Sequence, residues 1–336
     1  MKKLLLTFGT LILLACSIPG IQLAVQSTPA ESQAFKTDLP ATRQPTPEPG
    51  SEGNPLILAL APSAVPESGM VSTGEKLAAQ LQTLTGYTLV TVVPKSEQIL
   101  IESMGKNNIH IAVLSPYAYL LASDLQLGTA TLSSLRDGQA SYGAQFIANR
   151  DGEFESFYNE LIGSNTSEAA EALVQFDNKK PCWSDATSAS GYVVPLGYLN
   201  DNGVNGRSGA FLAGQPSVVR AVYAEDICDF GATYIDARTS PALEDSYSDV
   251  LEKVVVIWKI PPIIPYETVF FSKVMPIEMR RVFLRAFIDV MNTPEGKSAM
   301  QTVYGIEALQ PAEEAMYADF DHYVKASGLE PIGLIQ

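Results

Sequence analysis

A run of small, hydroxyl-bearing residues, Asp185-Ala186-Thr187-Ser188-Ala189-Ser190-Gly191-Tyr192, follows a short apolar segment and opens a helical pattern. At such a junction the first backbone N–H groups of the helix lack intrahelical acceptors, and serine hydroxyls beside them add donors. The run therefore has the makings of a site for a small oxyanion. Pro195 fits this arrangement, because the first turn of a helix needs no N–H from it. The same residues are equally consistent with a serine N-cap on an ordinary helix, and the local sequence does not separate the two.

Other reactive constellations are missing from the sequence. The two histidines, His110 and His322, lie at no metal-ligand spacing with cysteine or with each other. Gly296-Lys297-Ser298 has the ending of a phosphate-binding loop, but Met291 stands where the first glycine belongs and the stretch is helical in pattern. It reads as a helix N-terminus. No G-x-S-x-G elbow surrounds Ser188 or Ser190, and no histidine is placed to serve as a base. With no nucleophile-base pair, metal cluster or cofactor motif, an enzyme is not expected and neither is a cofactor.

The elements that must position the serine run alternate between strand and helix. Leu56–Ala61 is a short apolar run with the character of a buried parallel strand, Gly74–Leu84 has leucines at helical spacing, and Thr88–Val93 is β-branched. A helix over 96–106 leads into a strand at 110–114, ended by Ser115-Pro116. Farther on, strands are expected at 142–148, 181–184, 230–235 and 254–258, and helices at 167–176, 190–200, 217–224, 278–291, 294–303 and 313–327. Pro261, Pro262 and Pro265 predict an extended connection. The alternation gives an α/β class with open sheets, whose ligands bind beyond the carboxyl ends of strands.

The N-terminus speaks to compartment. Lys2 and Lys3 precede an apolar stretch of signal-peptide length, and Leu13-Leu14-Ala15-Cys16 resembles a bacterial lipobox. Residues 1–15 are thus expected to be a lipoprotein signal peptide and Cys16 the lipidated mature terminus, which puts the chain on the outer face of the cytoplasmic membrane or in the periplasm. Residues 16–54 are rich in Pro, Ser, Thr, Gln and Glu and predict a flexible tether. The body of roughly 280 residues that follows is long enough for two cores. Its net charge of −15 opposes nucleic-acid or general anionic-membrane binding, but not a local nest of donors around a small anion. Cys182 and Cys228 remain as an even pair in an oxidising compartment, which suggests a disulfide; two buried thiols are the alternative.

Four segments, in order, resemble the phosphate/phosphite/phosphonate substrate-binding proteins of ABC transporters. They are Leu114–Ala122 with its Ser-Pro-Tyr-Ala-Tyr turn, Asp137-Gly138 followed by Tyr142, Ser188–Pro195, and Val256–Lys259 with the prolines after it. The resemblance implies a two-lobed type II periplasmic-binding-protein fold with a ligand cleft between lobes. Residues 55–147 and 260–336 would form lobe one and 148–259 lobe two, joined by crossing segments near 145–149 and 259–265. The strands carrying Cys182 and Phe230 would then share a sheet, placing the two cysteines within reach of each other.

By the same resemblance, Ser115, Tyr117 and Tyr142 would face the ligand from one side. Ser188, Ser190, the backbone near Gly191, and Asp236 would face it from the other. Three positions depart from the family pattern: Ala189 replaces a hydroxyl, Glu97 stands where an aromatic residue is common, and Gln215 replaces a His or Glu. The implied function is capture of a phosphorus oxyanion for an ABC permease by a monomeric, membrane-anchored receptor. A different small anion or zwitterion, such as a carboxylate, sulfonate or vitamin precursor, or a sensory lipoprotein, is the alternative.

Overall fold

The computed structural model describes residues 47–335. The leader 1–15, the lipobox cysteine Cys16 and the tether as far as 46 lie outside the described residues. Residues 47–54, assigned to the tether by composition, are folded onto the body instead. Gly50 N donates to Asn54 O at 2.7 Å, and Gly50 O accepts from Thr88 N at 2.8 Å. Gly50 has φ +81°, and a Cβ there would meet the Tyr87 ring at 2.7 Å, so a glycine is required at this close approach. Proline and glycine here mark a docked turn as well as a linker.

The chain then alternates as its hydrophobic pattern dictates. First come β1 Leu56–Leu60, α1 Glu67–Thr85, β2 Leu89–Val92, α2 Glu97–Gly105, β3 Ile111–Leu114, α3 Pro116–Asp124 and β4 Gly128–Leu135. Then follow β5 Ser141–Asn149, the hairpin of β6 Tyr158–Asn159 and β7 Ser164–Asn165, α4 Ala169–Leu173, β8 Pro181–Trp183 and α5 Val194–Asp201. β9 Ala210–Phe211, α6 Gln215–Ala224, β10 Phe230–Tyr234, α7 Pro241–Glu244, α8 Val250–Lys253 and β11 Val254–Pro265 continue the series. It closes with β12 Thr268–Ser272, α9 Ile277–Met291, α10 Pro294–Tyr304, β13 Ala308–Pro311 and α11 Ala318–Ala326. Ser96, Ser115 and Thr293 cap α2, α3 and α10 through their side chains, which confirms Gly296-Lys297-Ser298 as the first turn of a helix.

Two mixed sheets result, ordered β13-β4-β12-β3-β1-β2 and β11-β5-β10-β8-β9. β1 pairs in parallel with β2 and β3, and β10 with β8, as expected for strands joined through helices. β4, β12 and β13, which were not among the expected strands, complete the first sheet by antiparallel pairing. Every residue of β3 and β12 is buried, so these strands carry no alternating pattern. One core of Leu56, Leu58, Leu81, Phe271, Phe283 and Phe287 lies in the first sheet's body. Another, with Ile147, Val218, Val222 and Val254, backs the second. A third, running from Leu100 and Tyr117 to Phe146, Phe230 and Phe320, spans both.

The chain changes sheet at 136–140 and again at 266–267. The segments expected to cross, 145–149 and 259–265, are instead strand residues of β5 and β11, which pair antiparallel from Val254↔Asn149 to Pro265↔Ser141. β11 continues through three prolines because it is an edge strand whose missing N–H groups leave no partner unsatisfied, and its register shifts between Ile260 and Ile264. The Asp137-Gly138 pair, both at positive φ, makes the tight turn of the first passage. Within 260–336, α11 lies on α5 of the other body. Tyr323 stacks on Tyr198 with ring centroids 3.7 Å apart, and Asn200 Nδ2 donates to Ala326 O at 3.0 Å.

Candidate functional site

The serine run forms a single π-helical turn, Ala189–Val193, that leads into α5 beyond the carboxyl end of β8. Ser188 caps it, its Oγ accepting from Gly191 N at 3.1 Å, so the Gly191 N–H is engaged within the turn. A Cβ on Gly191 would fall 2.0 Å from Ser184 Oγ, so only glycine fits there. Ala189 packs its methyl on the core that spans both sheets, which accounts for a small apolar residue where a hydroxyl was expected. Ser184 Oγ, behind the turn, is buried without a hydrogen-bond partner.

Gln215, the first residue of α6, sets the polarity of the serines. Its Oε1 accepts from Tyr234 N, and its Nε2 donates to Ser190 Oγ at 3.0 Å and toward Ser188 Oγ at 3.4 Å. The amide cannot be turned round, because only an acceptor can face a backbone N–H. Both serine oxygens are therefore acceptors toward Gln215. Ser188 Oγ, which also accepts from Gly191, keeps its own proton to donate.

Tyr142, at the start of β5 in the same sheet as β8, hydrogen-bonds Ser190; burial, opposed in part by that bond, holds its phenol up at about 12. Whichever of the two hydroxyls donates, the pair retains one O–H for a third group. Tyr142 stacks on Tyr266 at 5.2 Å, and Tyr266 in turn carries the Arg136 guanidinium 4.4 Å above its ring. Tyr117 lies within electrostatic reach of Tyr142, and its buried hydroxyl has no partner; burial first, then Tyr142, pushes its pKa well above the ordinary tyrosine value.

Ser115 and Glu97 are bonded to each other rather than open to a ligand. Glu97 Oε1 accepts from Ser115 N at 3.1 Å and Oε2 from Ser115 Oγ at 2.8 Å, while Ser115 Oγ accepts from Ala118 N. The Ser115 proton is thus spent on Glu97. Burial pushes the Glu97 carboxyl up; the two bonds from Ser115 pull it back in part, and Glu267 adds to the rise.

Asp236 is likewise engaged. It takes Arg238 Nε and Nη2 at 3.0 and 2.6 Å, Arg238 N at 3.0 Å and Gln145 Nε2 at 2.7 Å. Burial opposes ionisation, but the bonds and charge of Arg238 outweigh it and hold this carboxyl below its usual range. Arg238 and Gln145 were not among the expected site residues. Gln145 Oε1, buried beside Asp236, has no partner. The structure thus brings Tyr142, Ser188, Ser190 and Gln215 into one network, with Tyr117 beside it, and gives Ser115, Glu97, Gly191 and Asp236 internal partners.

Cys182 in β8 and Cys228 before β10 are joined as a disulfide with Cα atoms 5.6 Å apart, a consequence of the parallel pairing Gly231↔Cys182. Among the described residues no group of His, Cys, Asp and Glu is arranged to hold a metal ion. Among the same residues, no helix is long and apolar enough to cross a membrane.

Comparison with known proteins agrees with this architecture. The family model described as "ABC transporter, phosphonate, periplasmic substrate-binding protein" matches residues 60–317. Among curated proteins, none matches the chain by sequence. Of solved structures, a binding-protein component of an ABC phosphonate transporter from Pseudomonas aeruginosa aligns at 18% identity and TM-score 0.50, over 83% of this chain and 89% of its own. PhnD1 from Prochlorococcus marinus, in complex with methylphosphonate, aligns at 11% identity and TM-score 0.51, over 80% and 97%. XAC2383 from Xanthomonas citri, bound to chloride ion, aligns at 14% identity and TM-score 0.58, over 81% and 97%. The two sheets are accordingly the lobes of a periplasmic-binding-protein fold, and this chain belongs to the phosphonate family of ABC-transporter periplasmic substrate-binding proteins.

Proposed function

We propose that the chain captures a small oxyanion, with phosphonate, phosphite and phosphate the first candidates, between the Ser188–Ser190 turn with Tyr142 beside it and the wall that carries Tyr117. It then presents that ligand to an ABC permease. The observation that carries this reading is the fixed amide of Gln215. By donating to both serine oxygens it leaves the Ser188 proton, and the one O–H kept by the Ser190–Tyr142 pair, to be offered outward, so the site presents donors and suits a ligand made of acceptors. The partnerless hydroxyl of Tyr117 adds to the same stock of donors. In this reading the first sheet and its helices form lobe one, and the second sheet forms lobe two with α11 docked on it. Residues 136–140 and 266–267 are the passages about which the lobes close.

Calorimetric titration of the purified protein with methylphosphonate tests the site. Ser188→Ala and Ser190→Ala should each weaken binding by roughly 1–3 kcal/mol, the worth of a hydrogen bond to a charged group. Unchanged affinity in both, with the melting temperature retained, would reduce the turn to a capped helix. The proposal extends to a monomeric receptor tethered through a lipid on Cys16. Mass spectrometry of the mature protein should find that lipid, and an unmodified Cys16 would refute the anchor.

A further inference from the structure

We propose a second ligand site, suited to an α-amino acid with an aromatic side chain, in a cavity of about 560 Å³ beside β11 at the edge of the second sheet. It does not rest on the oxyanion reading, since none of Ser188, Ser190, Gln215, Tyr142 and Tyr117 lines this cavity. Its walls come from the β6–β7 hairpin, the start of α4, β11, α5 and α11, and its volume lies within the roughly 300–1,000 Å³ usual for small-molecule sites. Four rings line it, those of Tyr158, Tyr198, Trp258 and Tyr323. Tyr198 stacks on Tyr323 at 3.7 Å and meets Trp258 at 5.5 Å, centroid to centroid, so three of the four form one packed group. Such a wall accepts a further ring by offset stacking or edge-on contact.

Two opposite charges on the same lining, Lys259 and Glu168, form no ion pair among the described residues, with each other or with a third group. Lys259 Nζ donates to Tyr158 Oη at 2.8 Å and lies 4.1 Å from the centre of that ring. An ammonium has three protons, so two remain to be offered. Glu168 engages its neighbours through its main-chain carbonyl, which leaves its carboxylate to accept. The places of both are fixed by the chain around them. Trp258 Nε1 donates to Ser167 O at 3.0 Å, and Lys259 and Glu168 are the residues that follow these two. Asn165 closes on the Lys259 backbone in both senses, Nδ2 donating to its carbonyl at 2.7 Å and Oδ1 accepting from its N–H at 2.9 Å. The backbone that carries the ammonium is thus held before any ligand arrives. A ligand carboxylate on Lys259, a ligand ammonium toward Glu168 and a ring against the tyrosines and Trp258 use all three features at once, which is the chemistry of a zwitterion with a flat apolar body. An inorganic oxyanion would leave the rings and Glu168 unused.

Calorimetric titration of the purified protein with L-phenylalanine tests the site. Three controls each lack one feature: 2-phenylethylamine the carboxylate, 3-phenylpropionate the ammonium and L-alanine the ring. L-phenylalanine should bind saturably and more tightly than all three. Lys259→Gln should weaken it at least about tenfold, the worth of a charged hydrogen bond. Glu168 is exposed, so Glu168→Gln should weaken it by only about two- to fivefold. No saturable binding of L-phenylalanine by the wild type overturns the site. L-alanine binding as tightly overturns the aromatic body, and either of the other controls doing so overturns the zwitterion. Full affinity retained in Lys259→Gln at an unchanged melting temperature overturns the assignment to this cavity; should that variant fail to fold, full affinity in Glu168→Gln overturns the zwitterion instead. All of these outcomes leave the oxyanion reading in place, and a failure to bind methylphosphonate sinks that reading without touching this one.

Discussion

Replacing Gln215 with glutamate isolates the step on which the site's polarity depends. The new carboxylate would keep an oxygen for Tyr234 N, so the junction between β10 and α6 loses no backbone partner. Its other oxygen, unlike the amide nitrogen it replaces, can only accept. Ser190 at 3.0 Å and Ser188 at 3.4 Å would then have to donate to it, turning inward the protons that the proposed site would offer its ligand. Two hydrogen bonds to a charged ligand are lost, each worth about 1.5–3 kcal/mol, so affinity should fall by at least about 3 kcal/mol, or roughly 150-fold. The added negative charge acts in the same direction. Calorimetry with methylphosphonate, alongside a thermal melt, reads both quantities. If Gln215→Glu binds within threefold of the wild type at an unchanged melting temperature, the serines are not oriented by Gln215, and the donor assignment to the site is wrong.

Other consequences follow from the same contacts. A Cβ on Gly197 would lie 2.0 Å from Tyr323 O, so Gly197→Ala should push α11 off α5 and destabilise by about 1–3 kcal/mol in urea unfolding; an unchanged midpoint would show that the two helices separate freely. The disulfide closes a sequence separation of 46, for which chain entropy gives about 4 kcal/mol of stabilisation. Thiol labelling of the denatured, unreduced protein should therefore find Cys182 and Cys228 unreactive, and reduction should lower stability by an amount of that order. Asp236 has a folded-state pKa below its unfolded value, so its contribution is present above the ordinary carboxylate range and lost as pH falls through the folded value. Asp236→Asn leaves Arg238 buried beside a neutral group and should cost about 3–5 kcal/mol near neutral pH. That difference should shrink on acidification, and a pH-independent difference would refute the ionic account.

Local pattern carried most of the element order. Apolar runs such as Leu56–Leu60 have to be buried, leucines at helical spacing set the middle of α1, and the serines at 188 and 190 announce a cap, because these preferences act within a few residues. The same local chemistry marked the turn at Ser188–Ser190 as donor-rich and, with three other segments, suggested the family. Strands β4, β12 and β13 escaped because pairing with distant partners, not periodicity, makes them strands. The docked turn at 47–54 escaped for a related reason: the same prolines and glycines suit a free linker and a tight turn, and only the Thr88 contact chooses.

The state of each site residue was likewise beyond the sequence. Ser115 looks as available as Ser188 until Glu97, 18 positions earlier, takes its proton, and Asp236 looks like a ligand contact until Arg238 and Gln145 close on it. Gln215 reads as a missing His or Glu until its amide is seen clamped between Tyr234 N and two serines. A sequence specifies which donors and acceptors a chain possesses. Which of them are consumed by one another, and which remain for a ligand, depends on distances between residues far apart in the chain, and only the tertiary structure sets those.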